Sequence, residues 1–240
     1  MVSEAAIGEV VDGRYRLTRL LGKGGFGAVY AAEPLASPGS ELAVKLLSRP
    51  REGLDDFEAR FRREVRNAQR LCHPNAVRIF AFGTWGPDIL YYVMELCEGR
   101  SLRELCKAEG PLAPARAVRL TIQVLEVLGA AHALGMVHRD IKPDNVQVMV
   151  RPGAGEVVKL LDFGLAKVLS GTESQDLTAA DEITGTFEYM APEQFRGARA
   201  NRRSDLYAVG AVLYEVLAGQ RGCERTTSRR GRSSSPRPSA

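Results

Sequence analysis

Cysteine is scarce in this chain, and the four present, Cys72, Cys97, Cys106 and Cys223, share no CxxC or other metal-ligand spacing. That pattern excludes a cysteine-held metal cluster and leaves free thiols in a reducing compartment. Lysine is outnumbered by arginine, 6 to 27, so each lysine needs a reason. No apolar stretch can span a bilayer: residues 117–137 carry Arg119, Gln123 and Glu126, and 206–218 is too short. The N-terminus, Met1-Val2-Ser3-Glu4-Ala5-Ala6, lacks the basic region and apolar run of a secretory signal. These absences imply a cytoplasmic chain with no membrane segment. A basic face is missing too. Residues 221–240 hold six arginines against one glutamate, more than the whole net charge of +4, so the remainder is close to neutral. The pI near 9.0 describes a tail, and no nucleic-acid partner is expected.

What is present is globular and enzyme-like: 45% hydrophobic and 26% charged over 240 residues, enough for one large domain or two lobes. Residues 1–13 show little periodicity and read as a leader. From Tyr15 the pattern is strand, turn, strand, with Gly22-Lys23-Gly24-Gly25-Phe26-Gly27 as the turn and Ala28-Val29-Tyr30-Ala31-Ala32 after it. Four glycines in six residues allow backbone N–H groups to face an anion. The spacing of Gly22, Gly24 and Gly27 also fits a dinucleotide fingerprint, but that fingerprint opens a helix and β-type residues follow here. An ordinary glycine-rich hairpin is the remaining alternative. Leu42-Ala43-Val44-Lys45-Leu46-Leu47 is a third strand, and its buried-looking Lys45 needs a partner. The helix predicted over 54–71 carries Leu54, Phe57, Phe61, Ala68 and Leu71 on one stripe, with Glu64 inside it. A Lys45–Glu64 pair is the simplest resolution; pairing of Glu64 with a neighbouring arginine is the other. Strands over 77–84 and 89–95 complete five strands and one helix.

A helical region follows. Ser101 with Glu104 predicts a capped helix through Cys106, and 114–134 carries Ala117, Leu120, Val124, Val127, Leu128 and Ala131 on one face. That helix delivers the chain to His138-Arg139-Asp140-Ile141-Lys142-Pro143-Asp144-Asn145, a polar, proline-interrupted loop between core elements. A strand pair follows and ends in Asp162-Phe163-Gly164. Residues 167–187 are hydroxyl-rich with little apolar content and close on Ala191-Pro192-Glu193. The helix predicted over 203–218 opens on Ser204-Asp205, residue types that cap helices. Patterning stops after Gly219.

In this order the glycine turn with Val29, Ala43-Val44-Lys45, Glu64, the loop 138–145, Asp162-Phe163-Gly164 and Ala191-Pro192-Glu193 resemble the eukaryotic-like (Hanks-type) bacterial serine/threonine protein kinases over about 14–219. The resemblance implies an α+β, two-lobed fold. An N-lobe of about 14–95 would hold a five-stranded antiparallel sheet plus one helix, and a mostly helical, incomplete C-lobe would cover about 99–220. It implies ATP and Mg²⁺ as cofactors and a protein with a serine or threonine acceptor as substrate. Leu21, Gly22, Lys23, Gly24, Gly25, Phe26, Gly27, Val29 and Ala43 would enclose the nucleotide. Lys45 would hold its α- and β-phosphates, with Glu64 fixing Lys45. Met94 would guard the adenine pocket, the backbones of Glu95 and Cys97 would bond adenine, and Gln147 would lie beneath it. Asn145 and Asp162 would ligate Mg²⁺; Asp140 would act as base, beside Lys142 and Thr186. Arg139 implies control by phosphate on the long loop, with Thr178 or Thr184 as autophosphorylation sites.

Three departures stand out. Gln147 takes a usually apolar position, Tyr207 a usual tryptophan and Phe187 a common proline. The resemblance also implies further helices after Gly219, including an arginine to pair with Glu193. Residues 221–240 instead read as an Arg/Ser/Pro-rich arm without period, suiting either a natural disordered segment or an out-of-frame reading. A truncated kinase-like module that binds nucleotide or partners without turnover is therefore the alternative function.

Overall fold

A computed structural model describes residues 6–24, 27–49, 54–163 and 187–219. The N-terminal lobe is one antiparallel sheet of six strands: β1 (Val10–Val11), β2 (Tyr15–Gly24), β3 (Gly27–Pro34), β4 (Leu42–Ser48), β5 (Ile79–Trp85) and β6 (Ile89–Glu95). Their spatial order is β1-β2-β3-β4-β6-β5. The expected count of five is corrected by β1, which lies in the stretch read as a leader. Two residues cannot show a period, yet Val11 pairs with Tyr15 and is fully buried. Core burial makes that strand.

Helix α1 (Leu54–Gln69) crosses the sheet and buries Phe57, Phe61, Val65 and Ala68. The two-residue period of the strands sorts side chains between two cores. On β4, Ala43 and Leu47 join the cluster under α1, while Val44 and Leu46 face the opposite one. On β6, Leu90, Tyr92 and Met94 face α1, and Tyr91 and Val93 face away. Lys45 stands on β4 between Val44 and Leu46, directly across from Tyr92 on β6.

The second lobe is built on α3 (Pro114–Ala133), whose six predicted stripe residues are all buried. Before it, α2 (Leu102–Glu109) opens on the expected capping box. The Ser101 hydroxyl accepts from Glu104 N at 3.2 Å, and the Glu104 carboxylate accepts from Ser101 N at 2.8 Å. The helix runs past the expected end at Cys106 to Glu109. A small antiparallel sheet of β7 (Arg100–Ser101), β8 (Val146–Arg151) and β9 (Gly155–Leu160) lies against α3.

After α4 (Pro192–Phe195) comes α5 (Arg202–Ala218), and its cap differs from expectation. Asn201, not Ser204-Asp205, caps the helix by accepting from Arg203 N at 2.8 Å. The helix starts one residue earlier than the apolar pattern shows, because Arg202 and Arg203 are exposed and carry no periodic signal. Ser204 consequently falls at the third helical position, and Asp205 is drawn into the interior. No helix among the described residues is long and apolar enough to cross a membrane.

Candidate active site

A cleft of about 530 Å³ opens between the lobes. Its walls include Leu21, Gly22, Val29, Ala43, Lys45, Met94, Glu95, Cys97, Gln147 and Asp162, ten of the positions expected to hold a nucleotide or its metal. Lys23, Gly24 and Gly27 continue the same hairpin beyond the lining, while Gly25 and Phe26 lie outside the described residues. Gly27 is required by close approach. A Cβ there would sit 1.9 Å from the Leu46 carbonyl oxygen, at φ +143°.

Lys45 does not pair with Glu64. Its Nζ lies 2.5 Å from Asp162 Oδ2, and Glu64 instead meets Arg63 at 3.5 Å. Helical geometry explains the difference. Val65 is the fully buried residue of α1 at this level, so Glu64 sits at the edge of the apolar stripe. There it lines a separate cavity of about 160 Å³ with Asn67, Arg139 and Phe163. Asp162 also accepts from the Tyr92 hydroxyl at Oδ1, 2.5 Å away. Burial pushes the Asp162 carboxyl up, but the charge and hydrogen bond of Lys45, with the Tyr92 hydroxyl, outweigh it and hold it below the usual value. Burial, then the Asp162 charge, raise Tyr92 well above the usual phenol range, so it stays a neutral donor.

The loop after α3 is held from α5. The Asp205 carboxylate, 1% exposed, accepts from His138 N and Arg139 N, both at 2.9 Å, and meets His132 Nε2 at 2.8 Å. The His138 ring is fully buried and stacks edge-on against Phe163, 4.7 Å between centroids. Its Nε2 faces the Leu161 carbonyl at 2.8 Å, which assigns the proton there and leaves Nδ1 to accept from Asp140 N at 3.3 Å. Burial lowers the pKa of this histidine, in keeping with the neutral form. Arg139 adopts φ +72° and Asp162 φ +59°, rare for side chains of this size, and both flank the site.

Asp140 Oδ2 accepts from Asn145 Nδ2 and lies beside Lys142 Nζ, each at 2.9 Å. Its Oδ1 is buried and finds no partner among the described residues. Thr186, expected beside Lys142, lies outside them, as do Thr178 and Thr184. Backbone pairing of β8 with β9, continued by Leu161 N to the Asn145 carbonyl at 2.9 Å, brings the Asp162 strand end beside Asn145. No group of three or more histidine, cysteine or acidic side chains among the described residues is arranged to hold a metal ion. One carboxylate and one amide oxygen suit Mg²⁺ held jointly with phosphate oxygens rather than in an all-protein cage.

Sequence reasoning missed three neighbours of the cleft and its loop. Asp205 was hidden by its resemblance to a cap, and Tyr92 by its place in an apolar strand. Lys159 carried the same signal as Lys45, a lone lysine between apolar residues: its Nζ is buried against Glu95 Oε2 at 2.6 Å and the Ala76 carbonyl at 3.2 Å. Glu193 accepts from the Ser204 hydroxyl at 3.0 Å. Burial, then the Glu95 carboxylate, push the Cys97 thiol up to about 12. Cys97 is therefore expected to alkylate at least ~10-fold more slowly than the exposed Cys72 at neutral pH. Peptide mapping after timed iodoacetamide exposure checks this, and equal rates would contradict it.

The sequence matches the protein kinase domain family over residues 15–235. Among curated relatives, the serine/threonine-protein kinase pkn3 of Myxococcus xanthus is 40% identical over 89% of this chain and 39% of its own length. PrkC of Bacillus subtilis is 40% identical over 89% of this chain and 32% of its own length. This chain thus spans well under half the length of these two relatives. Among solved structures, the kinase domain of PknI from Mycobacterium tuberculosis superposes with a TM-score of 0.69 at 28% identity, covering 92% of this chain and 80% of that one.

Proposed function

This chain belongs to the protein kinase domain family, and we propose that its cleft transfers the γ-phosphoryl group of ATP to serine and threonine hydroxyls of proteins. The observation that carries the reading is the joining of two sets of groups. Lys45 and Asp162 meet on the cleft wall, and the Leu161–Asn145 backbone bond ties that wall to the loop bearing Asp140. Phosphoryl transfer asks mainly for positioning and charge neutralisation, and these groups supply both.

The glycine hairpin covers the phosphates with backbone N–H groups, and Lys45 supplies a cation to the α- and β-phosphates. Val29, Ala43 and Met94 enclose the adenine, and the Gln147 amide forms part of the floor. The Glu95 backbone N–H is already given to the Arg78 carbonyl at 2.9 Å, so its carbonyl and the Cys97 backbone remain for the base. Asn145 and Asp162 would hold Mg²⁺, which would supply positive charge to offset that of the phosphates. Asp140 orients the acceptor hydroxyl and takes its proton through Oδ1, the oxygen with no partner among the described residues. The acceptor oxygen bonds to the γ-phosphorus as the bond to the ADP oxygen breaks. Lys142, 2.9 Å from Asp140 Oδ2, is placed to steady the base and the transferred group.

Incubation with labelled ATP, Mg²⁺ and a generic basic protein tests the proposal. Label on phosphoserine or phosphothreonine is expected. Nucleotide binding without any transfer would establish the inactive-module alternative. Arg139 lines the cavity beside Phe163 and makes no ion pair among the described residues, which suits a guanidinium awaiting phosphate on the loop. Mass mapping of active protein is expected to find phosphate on Thr178 or Thr184, absent from an Asp140→Asn control. Active protein without loop phosphate would rule this control out.

A further inference from the structure

Tyr92 carries a group that packing does not require. Its ring is 1% exposed and sits 6.5 Å from the Phe61 ring, centroid to centroid, in the core beneath α1. A phenylalanine would fill the same space. The hydroxyl is the difference, and it reaches out of that core to Asp162 Oδ1. Lys45, its partner across β4 and β6, holds the other carboxylate oxygen. The carboxylate is thus gripped from the core side by a donor on a rigid central strand. From the cleft side it is gripped by a long, rotatable lysine.

We propose that Tyr92 is a positioning residue for Asp162, its hydroxyl aiming the carboxylate at a divalent cation held with the nucleotide phosphates. The proposal rests on the kinase reading of the cleft. Each ionised carboxylate oxygen has about two acceptor directions, so the one taken by Tyr92 leaves another facing the cleft. Carboxylates that ligate metals are themselves hydrogen-bonded, and removing such an outer partner typically weakens metal binding about 10–100-fold.

The test compares the full chain with Tyr92→Phe by calorimetric titration with a nonhydrolysable ATP analogue, once in Mg²⁺ and once in EDTA. Mn²⁺ titration of the analogue complex, followed by electron paramagnetic resonance, reads the cation directly. The variant is expected to keep its analogue affinity in EDTA, which also shows that it is folded. Its cation affinity in the complex is expected to fall about 10–100-fold. Unchanged or tighter cation binding by Tyr92→Phe, with analogue still bound in EDTA, overturns the role of Tyr92 alone. Wild-type protein that binds no analogue in either buffer overturns the kinase reading, and this proposal with it.

Discussion

Asp140→Asn is expected to lower phosphoryl transfer by about 10²–10⁴-fold, the usual contribution of a positioned general base. The amide is nearly isosteric with the carboxylate, so the loop should keep its shape. Asp140 N would still bond His138 Nδ1, and one side-chain oxygen would remain to accept from Asn145. What disappears is the proton acceptor and the negative charge beside Lys142. Asp140 does not line the nucleotide cleft, so KM for ATP is expected to change little while kcat collapses. That split distinguishes a lost base from a damaged fold. Steady-state kinetics on wild type and variant measure it. Label transfer by Asp140→Asn at the wild-type rate would remove Asp140 from the chemistry.

Asp205→Ala is expected to cost about 2–6 kcal/mol of folding stability, since it strands two backbone N–H groups at about 1–3 kcal/mol each. The carboxylate serves three donors at once: two successive backbone N–H groups of the loop and the His132 ring. Alanine would leave the two N–H groups in the interior without acceptors, each worth about 1–3 kcal/mol unpaired. It would also free the strained Arg139 backbone, which nothing local holds at φ +72°. Against a total stability of about 5–15 kcal/mol, such a loss is large. Asp205→Asn keeps an acceptor and should fall between the two. Urea unfolding of the three proteins checks the order, and an Asp205→Ala midpoint equal to wild type would show that the loop is held elsewhere.

The contrast between Asp140 and Asp205 shows how legibility divides in this molecule. Asp140 stands in a polar loop whose composition is odd for a connection, and that oddity is visible in eight consecutive residues. Asp205 stands at the start of a helix, where an acidic residue is ordinary. Only the position of α5 beneath the loop reveals that it accepts from the loop and does not cap its own helix. Tyr92 and Lys159 are similar. Each lies in a strand whose apolar pattern is plain, and each meets its partner on a different element.

The sequence by itself determined the local order and the chemistry it carries. The alternation of β4 and β6, the stripe of α3 and the Ser101–Glu104 capping box are all set by periods of two to four residues. Such periods survive any tertiary arrangement that buries one face. The tertiary structure decided which buried charges meet. Lys45 had two acidic candidates, and it took Asp162, 117 residues away, over Glu64 on the helix packed against its own sheet. It decided as well that Val11 adds a sixth strand. A buried ammonium is stabilised by whichever carboxylate reaches it with good geometry and its other oxygen satisfied. Asp162 meets that condition because Tyr92 takes the second oxygen, a relation among three distant residues that no local pattern encodes.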